Sequence, residues 1–254
     1  MKRVFFAVFV LAAALGGAVE TPKAAPAVAR QYAYEASFEK LLLSFHAADI
    51  EVSLAPTNIA GKALTHFRQT IKATPFVERM HPLKVRSEAL ILSEGHTLCS
   101  ATAIESGAEV VTESLAFAYS PTGTCRITST RTKRGEQAVR REFTSPSPAF
   151  NVLAAYPAVQ SVGFSKVETG AVFPVSVLTE EGVAAAELRF DGRETVKTVK
   201  GEKVPCLVFC LLAGPVGARK PAARFFLADG EVRLPVRFDL KLKFGTVKVL
   251  LKAR

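Results

Sequence analysis

The sequence predicts a mainly β protein, built as a large curved antiparallel sheet or an open β-barrel of about a dozen strands with one short helix. Apolar and polar residues alternate with a period of two through most of the chain after residue 31. Short stretches containing Gly, Pro, Asn or Ser separate the alternating segments, as turns separate strands. Of the 254 residues, 49% are hydrophobic, which is enough to fill one large core.

The amino-terminal sequence MKRVFFAVFVLAAALGGAVE has the order of parts that is typical of a secretory signal peptide. Lys2 and Arg3 precede an uninterrupted apolar stretch, Val4 to Leu15, and small residues follow it. We expect cleavage after Ala18, where Gly-Gly-Ala fits the small-residue rule. The stretch is shorter than the roughly 20 residues that span a bilayer, which favours a cleaved signal over the alternative of an uncleaved anchor.

This segment predicts the organisation of the chain and the place where it acts. Residues 1–18 form the signal peptide, residues 19–31 form a flexible Ala- and Pro-rich leader, and residues 32–254 form a single β-rich domain. We therefore expect an exported protein in the periplasm of a bacterium. No later segment is long and apolar enough for a membrane-spanning helix, so we expect no transmembrane span after signal cleavage.

The chain is basic, with 33 Lys and Arg against 23 Asp and Glu and a formal net charge of +10. Export argues against nucleic acid as the partner, since the anions of the envelope are lipid headgroups and polysaccharide. Six basic residues surround one predicted hairpin: Arg126, Arg131, Lys133, Arg134, Arg140 and Arg141. Two interpretations stay open for them, namely contact with an anionic envelope surface and a merely solvated face.

The chain has four cysteines, and an oxidising compartment would permit disulfides. Cys206 and Cys210 lie in one predicted strand, about 13 Å apart at strand rise, which is too far for a bridge. We interpret them as small buried apolar residues. Pairing of Cys99 with Cys125 depends on how the strands pack, and the sequence leaves it open.

Two segments interrupt the alternation. Thr74 to Leu83, TPFVERMHPL, contains two prolines and predicts a crossing segment or a short helical turn. In SPSPAFNVLAAYPAVQ, Ser145 or Ser147 can cap a helix and Pro148 suits its first turn, while Pro157 should end or kink it. We interpret the second segment as the only substantial helix.

The carboxy-terminal sequence VRLPVRFDLKLKF predicts one long strand, Val232 to Phe244, which would span about 43 Å. A strand of that length is more compatible with a twisted sheet than with a flat one, and a twisted sheet can curl around apolar side chains. After Gly245 the apolar residues move from even to odd positions, and we predict a β-bulge or sharp bend at Phe244–Gly245. Pro235 lacks an N–H and predicts an edge, a bulge or the start of a strand.

Several segments of the chain match one family pattern. They include an aromatic pair, an acidic turn, an Arg-x-Pro-Val sequence and a glycine: Phe225-Phe226, Asp229-Gly230-Glu231, Arg233 to Val236, and Gly245. With GRETVKTVKGEKVPCLVF, ATPFVERMHPLKVRSEALI and PAFNVLAAY, the chain resembles the exported bacterial proteins known as domain of unknown function 3108. It departs from them at Gly230, where they carry a second acid. The resemblance covers roughly Tyr32 to Leu251 and implies the fold and the compartment, without an activity.

No motif in the sequence indicates catalysis. The histidines, His46, His66, His81 and His96, are not at helical ligand spacing and form no cluster with cysteine, so we expect no metal site. The chain has no Gly-x-Ser-x-Gly elbow, no phosphate-binding glycine loop and no Cys-x-x-Cys. We expect no cofactor and name no catalytic residue, although a nucleophile and a base can converge from distant positions.

The most function-like cluster lies in the carboxy-terminal third. Asp229 and Glu231 are flanked by Arg224 and Arg233, with Phe225 beside them. These residues could bind the charged headgroup of a ligand. The alternative is a polar hairpin turn with cross-strand ion pairs, which are common and weak.

Three functional hypotheses follow from these observations. The first is an exported, non-enzymatic protein that binds an apolar or lipid-like ligand in the hollow of its sheet. The second is an envelope structural or assembly factor that acts through protein–protein contacts at a sheet edge. The third is an unrecognised hydrolase.

Overall fold

The computed structural model describes residues 29–40, 43–92, 95–147, 149–150, 167–179, 181–215, 217–230, 233–242 and 245–253. Within these ranges the chain forms one sheet of 15 strands and one short helix. The elements are β1 Arg30–Lys40, β2 Leu43–Ile59, β3 Lys62–Ala73, α1 Pro75–Met80, β4 Lys84–Leu92, β5 Thr97–Ser106, β6 Glu109–Tyr119, β7 Cys125–Lys133, β8 Val139–Ser145, β9 Ala149–Phe150, β10 Val172–Thr179, β11 Gly182–Lys197, β12 Lys203–Ala213, β13 Lys220–Ala228, β14 Pro235–Leu242 and β15 Gly245–Leu251. The predicted mainly β class is confirmed.

The sheet consists of two runs of strands that meet in the middle. Strands β1 to β8 lie side by side in chain order, and β15 back to β9 continue the sheet from the other side of β1. Neighbouring strands are antiparallel except β9 and β10, which are parallel. We call β1–β8 the amino-terminal half and β9–β15 the carboxy-terminal half; the β1–β15 pair joins them.

The two ends of the sheet approach each other, which gives the molecule its barrel-like form. Phe143 of the edge strand β8 packs in one cluster with Leu178 of β10 and Val183 of β11. Beside it, the Ser147 and Ser176 hydroxyls lie 2.9 Å apart in a hydrogen bond. The sheet therefore curls into a nearly closed barrel, with side chains holding its ends together.

The side chains of each strand alternate between two faces of this curled sheet. Tyr34, Ile50, Ile71 and Val85 lie side by side on β1 to β4 and are buried. These residues belong to the main hydrophobic core, which the curled sheet encloses on its inner side. We call the face that carries these residues the inner face.

The carboxy-terminal stretch is a hairpin and not one long strand, so the predicted ribbon from Val232 to Phe244 is wrong. Strand β14 ends at Leu242, which pairs with Gly245 at the start of β15. The pairing of Leu242 with Gly245 places the even-numbered residues of β14 opposite odd-numbered residues of β15. Apolar side chains at even positions on β14 and at odd positions on β15 therefore lie on the same side of the sheet. The change of phase in the sequence marks this reversal, and the predicted bulge is not needed to explain it.

Gly245 lies at the start of β15, close to the end of β1. Its φ of +155° is unusual for a residue with a side chain. A Cβ at this position would contact the carbonyl oxygen of Glu39 and the ring of Phe38 on β1. A glycine is therefore required here by the approach of β1 to β15.

The short helix lies between β3 and β4, where the sequence predicts a crossing segment or helical turn. Pro75 occupies its first turn, and Val77 is buried. Just before it, the Thr74 N–H donates to the Ala47 carbonyl oxygen at 2.9 Å, and the Thr74 hydroxyl donates to the His46 carbonyl oxygen at 3.1 Å. These bonds fix α1 against the start of β2.

The helix predicted after Ser145 does not begin where the sequence suggested. Ala149 and Phe150 are extended and form β9, which pairs in parallel with β10. Pairing at the closing end of the sheet outweighs the helix-starting signal of Pro148. The rest of the predicted helix lies outside the described residues, as do the signal peptide and nearly all of the leader.

The remaining structural predictions can be checked directly. Cys206 and Cys210 are buried on β12, and all four cysteines are free thiols, Cys99 and Cys125 included. Pro235 is the first residue of β14 and lies beside a register shift. Among the described residues, no helix is long and apolar enough to cross a membrane.

Candidate functional site

The predicted site residues do not form one cluster facing a common space. Phe225 points to the inner face, where its ring lies 4.8 Å from that of Phe238 between centroids. Arg224 is the adjacent residue on β13 and points to the outer face. Glu231 lies outside the described residues. Phe225 is therefore a core residue, and Arg224 belongs to a different surface.

Two of the predicted charged residues find their partners on β11 and not on each other. Arg224 Nη2 donates to Glu194 Oε1 at 2.8 Å, and Arg193 Nε donates to Asp229 Oδ2 at 2.9 Å. Arg233 is half-buried, and burial lowers its pKa while the charge of Asp229 opposes that shift. The sequence predicted ion pairs within a hairpin turn. The partners of Arg224 and Asp229 lie instead on β11, which is separated from β13 by β12.

The outer face of β13 and β14 is covered by charged side chains. The guanidinium groups of Arg224 and Arg237 lie over the Phe226 ring, at 5.1 and 4.9 Å from its centroid. Arg237 also donates to both carboxylate oxygens of Asp239, at 2.7 and 2.6 Å. Because these groups are already paired, we regard this surface as structural. Binding of a headgroup here stays a prediction.

A continuous polar row crosses the inner face of the amino-terminal half. Gln69, Ser87, Thr102, Glu113 and Arg131 are successive register partners on β3 to β7. The row next to it is apolar, and it consists of Ile71, Val85, Ile104 and Val111. The wall formed by these strands is therefore amphipathic on its inner side.

Hydrogen bonds connect part of this polar row. The Thr102 hydroxyl donates to Ser87 Oγ at 3.2 Å. Ser129 lies two residues before Arg131 on β7 and therefore on the same face. Its hydroxyl donates to Glu113 Oε1 at 3.2 Å. A carboxyl group offers more than one acceptor site, and the bond from Ser129 uses one oxygen of Glu113.

The polar row also keeps contact with solvent although it faces inward. On β6, Glu113 and Leu115 are half-buried, while their outward neighbours Thr112 and Ser114 are exposed. Thr102 and Arg131 are half-buried as well. The inner face is thus less tightly filled along β5 to β7 than along the buried rows of the carboxy-terminal half.

Three aromatic rings stand at one end of the barrel, and we call them the aromatic rim: Phe38, Phe45 and Phe76. The ring centroids of Phe38 and Phe45 are 5.7 Å apart, and those of Phe45 and Phe76 are 6.0 Å apart. Phe38 and Phe45 continue the inner face of β1 and β2, and Phe76 extends it from α1. The rim therefore joins the inner apolar surface to the exposed end of the barrel.

One group of potential metal ligands was not expected from the sequence. Glu35, His46 and Asp49 offer atoms within 4.8 Å of one another. The Lys252 ammonium is bonded to Asp49 at 2.8 Å and lies 3.7 Å from Glu35. This ammonium occupies the space between the two carboxylates and offsets part of their charge.

Sequence reasoning missed the polar row because each strand contributes a single member. The signal in the sequence was a polar residue at a strand position where the alternation predicts an apolar one. Gln69 stands between Phe67 and Ile71, and Glu113 stands between Val111 and Leu115. A single polar residue in one strand does not indicate a site. The row is recognised only when the register places one polar residue of each of five strands side by side.

Comparisons with known proteins agree with the fold. The family model described as "Protein of unknown function (DUF3108)" matches residues 33–252. The crystal structure of a β-barrel-like protein of domain of unknown function DUF1849, from Brucella abortus, is similar with a TM-score of 0.52 at 8% identity. That similarity covers 90% of this chain and 97% of the other chain, and at this identity it concerns the fold alone. No curated protein sequence matches the chain.

Proposed function

Since the chain belongs to the DUF3108 family, whose members have no known function, we propose a function from the geometry: it is a non-enzymatic protein that binds an apolar or lipid-like ligand inside its curled sheet. The proposal includes export to the periplasm, which the amino-terminal sequence favours. The observation that carries it is the amphipathic inner wall of β3 to β7. An inward polar row beside an apolar row suits a ligand with both kinds of surface.

The apolar part of such a ligand would lie beside the polar row on the half-buried inner side chain Leu115, since Ile71, Val85 and Ile104 are already covered by the core. Transfer of an acyl chain from water to this surface is favourable by about 0.8 kcal/mol for each buried methylene. The polar part would reach Thr102, Glu113 and Arg131, which present hydroxyl, carboxylate and guanidinium groups on neighbouring strands. These three groups can bond a headgroup that has both donors and acceptors.

Two substitutions on neighbouring residues of β5 test this placement. Thr102→Phe adds a ring to the inner face, whereas Ala101→Phe adds the same ring to the exposed outer face. Uptake of a fluorescent fatty acid by the exported protein should weaken at least about tenfold with Thr102→Phe and stay unchanged with Ala101→Phe. If circular dichroism shows that Thr102→Phe does not fold, Thr102→Met replaces it.

Native mass spectrometry of the protein purified from the envelope provides the direct measurement. A co-purifying lipid, or uptake of the fluorescent fatty acid, is the expected result. The proposal is wrong if neither is observed, or if the inner and outer phenylalanines change uptake equally.

The envelope assembly factor stays an alternative, because β8 is an edge strand whose backbone pairs with β7 on one side. Arg140, Arg141 and Glu142 lie in the middle of this strand, and charges of this kind discourage edge pairing. Cross-linking in the envelope that captures one specific partner at β8 would favour this alternative. The hydrolase hypothesis has no observation in its favour.

A further inference from the structure

The most exposed large apolar side chains of the described residues lie at the same end of the barrel. Leu43 is 73% exposed, Met80 66%, Phe76 61% and Val139 53%. Leu43 begins β2, Val139 begins β8, and the other two lie on α1 between β3 and β4. In this antiparallel order, the starts of β2, β4 and β8 all lie at one end of the sheet, which we call the rim end.

The rim end also carries exposed basic residues. Lys40 is the last residue of β1, Arg79 lies on α1, and Arg134 follows β7. Lys241 is next to the last residue of β14, which ends at the same place. Acidic residues occur there too: Glu78, Glu136 and Glu181 are exposed, and the half-buried Glu105 and Glu109 lie at the end of β5 and the start of β6.

We propose that the rim end docks on an anionic lipid bilayer. Exposed Phe, Leu and Met side chains with Lys and Arg at the same end form a surface that can bind negative headgroups, with the apolar groups inserted and the cations at headgroup level. A second copy of this chain is a less suitable occupant, because each copy carries a formal net charge of +10.

Docking at this end would bring the lipid surface to the aromatic rim. Phe76 is shared by both features, since it is exposed at the rim end and its ring lies 6.0 Å from Phe45. The route from bilayer to inner face would then pass over aromatic side chains. This second step rests on the proposed function, whereas docking itself does not.

Flotation with lipid vesicles tests the docking. The full sequence is expressed with export, its processed amino terminus is read by mass spectrometry, and all variants share that terminus. The rim variant is Phe76→Ser with Met80→Ser, and the matched control at the opposite end is Ile59→Ser with Val199→Ser, which are 46% and 40% exposed. Exposed positions of this kind change stability little, so both variants should fold.

The expected result has three parts. The unaltered protein floats with vesicles of phosphatidylcholine containing 30% phosphatidylglycerol, binds pure phosphatidylcholine at least about tenfold more weakly, and dissociates as salt is raised. The rim variant loses at least about tenfold in binding to the anionic vesicles. The opposite-end variant binds as the unaltered protein does.

Several outcomes would overturn the proposal. They are absence of flotation with anionic vesicles, equal binding by the two variants, and a dimer on size-exclusion chromatography that the rim substitutions dissociate. Fatty-acid uptake is measured in parallel. Absence of docking by the unaltered protein, with uptake retained, contradicts this inference alone; docking by the unaltered protein, with neither uptake nor a co-purifying lipid, contradicts the proposed function alone.

Discussion

The two halves of the sheet share one architecture and fill their inner faces differently. In the carboxy-terminal half, four phenylalanines lie side by side across β11 to β14: Phe190, Phe209, Phe225 and Phe238. In the amino-terminal half, the inner face carries the polar row from Gln69 to Arg131. One half is packed as a core, and the other presents a wall with hydrogen-bonding groups.

The outer faces differ in the same sense. Strand β12 is buried on both sides over Cys206 to Leu211, because charged pairs such as Arg224 with Glu194 cover its outer side. On β6, by contrast, Thr112, Ser114, Ala116 and Ala118 are exposed on the outer face. We infer that the carboxy-terminal half supplies most of the stability, while the amino-terminal half is available for binding.

The largest expected effect comes from removing a ring in the carboxy-terminal half. Phe209 is 0% exposed, and its ring centroid lies 5.2 Å from that of Phe190. Phe209→Ala should lower the free energy of unfolding by about 3–5 kcal/mol, because the cavity adds to the lost burial. Leu115→Ala, a half-buried inner position of the amino-terminal half, should cost less than about 2 kcal/mol. Urea unfolding measures both, and equal costs would contradict the comparison of the halves.

The second effect concerns the junction of the halves. Gly245→Ala forces a positive φ on alanine and drives its Cβ toward the Glu39 carbonyl oxygen and the Phe38 ring. The expected cost is about 1–3 kcal/mol. Gly230→Ala is the control, because nothing lies within 4 Å of its added Cβ. Thermal unfolding compares the variants, and a junction variant as stable as the control would mean that β1 and β15 can separate without loss.

The third effect sharpens the role assigned to the polar row. Ser87→Ala removes the acceptor of the Thr102 hydroxyl and should cost about 1 kcal/mol. The double variant Ser87→Ala with Thr102→Val removes both partners and should be nearly neutral in stability. A double variant that costs clearly more than the single one would show that the row is needed for folding and not for binding.

The smallest effect concerns Lys252, which joins the end of the chain to the amino-terminal half. Its hydrogen bond to Asp49 raises the pKa of the ammonium, with the charge of Asp49 and the neighbouring Glu35 adding to it. A raised pKa in the folded state gives stability that is complete below the unfolded pKa, about 10.4, and is lost as pH rises through the folded value.

Lys252→Met should therefore cost under about 1 kcal/mol at neutral pH, since the pair is partly exposed and screened by salt. The difference from the unaltered protein should disappear in strongly alkaline solution. Lys62→Met, at the exposed β2–β3 turn, serves as the control for replacing a surface lysine by methionine. Urea unfolding at several pH values tests the sign, and a difference that grows with pH would contradict it.

Much of the fold could be predicted because strands are local patterns. Alternation of apolar and polar residues predicted the β class, the approximate strand number and the burial of Cys206 and Cys210. Pro235 predicted a strand start or irregularity on the basis of its missing N–H alone. Segments that resemble the DUF3108 family predicted membership of that family, and the match of the family model to residues 33–252 confirms it.

The same local reading failed where two interpretations share one pattern. A bulge and a tight hairpin both shift the phase of alternation by one, so the change of phase after Gly245 did not distinguish them. The start of a helix after Pro148 was locally plausible, and pairing of Ala149 and Phe150 with β10 outweighed it. In both cases the deciding contact joins segments that the local pattern does not relate.

The chain alone therefore specified which residues alternate and most of those that are buried, since these depend on neighbours within a few positions. The polar row, the Lys252 pairs and the aromatic rim came from the register of the strands and the curl of the sheet. Hydrogen bonding between strands brings residues tens of positions apart to within a few ångströms, and no periodicity in the sequence encodes which of them will meet.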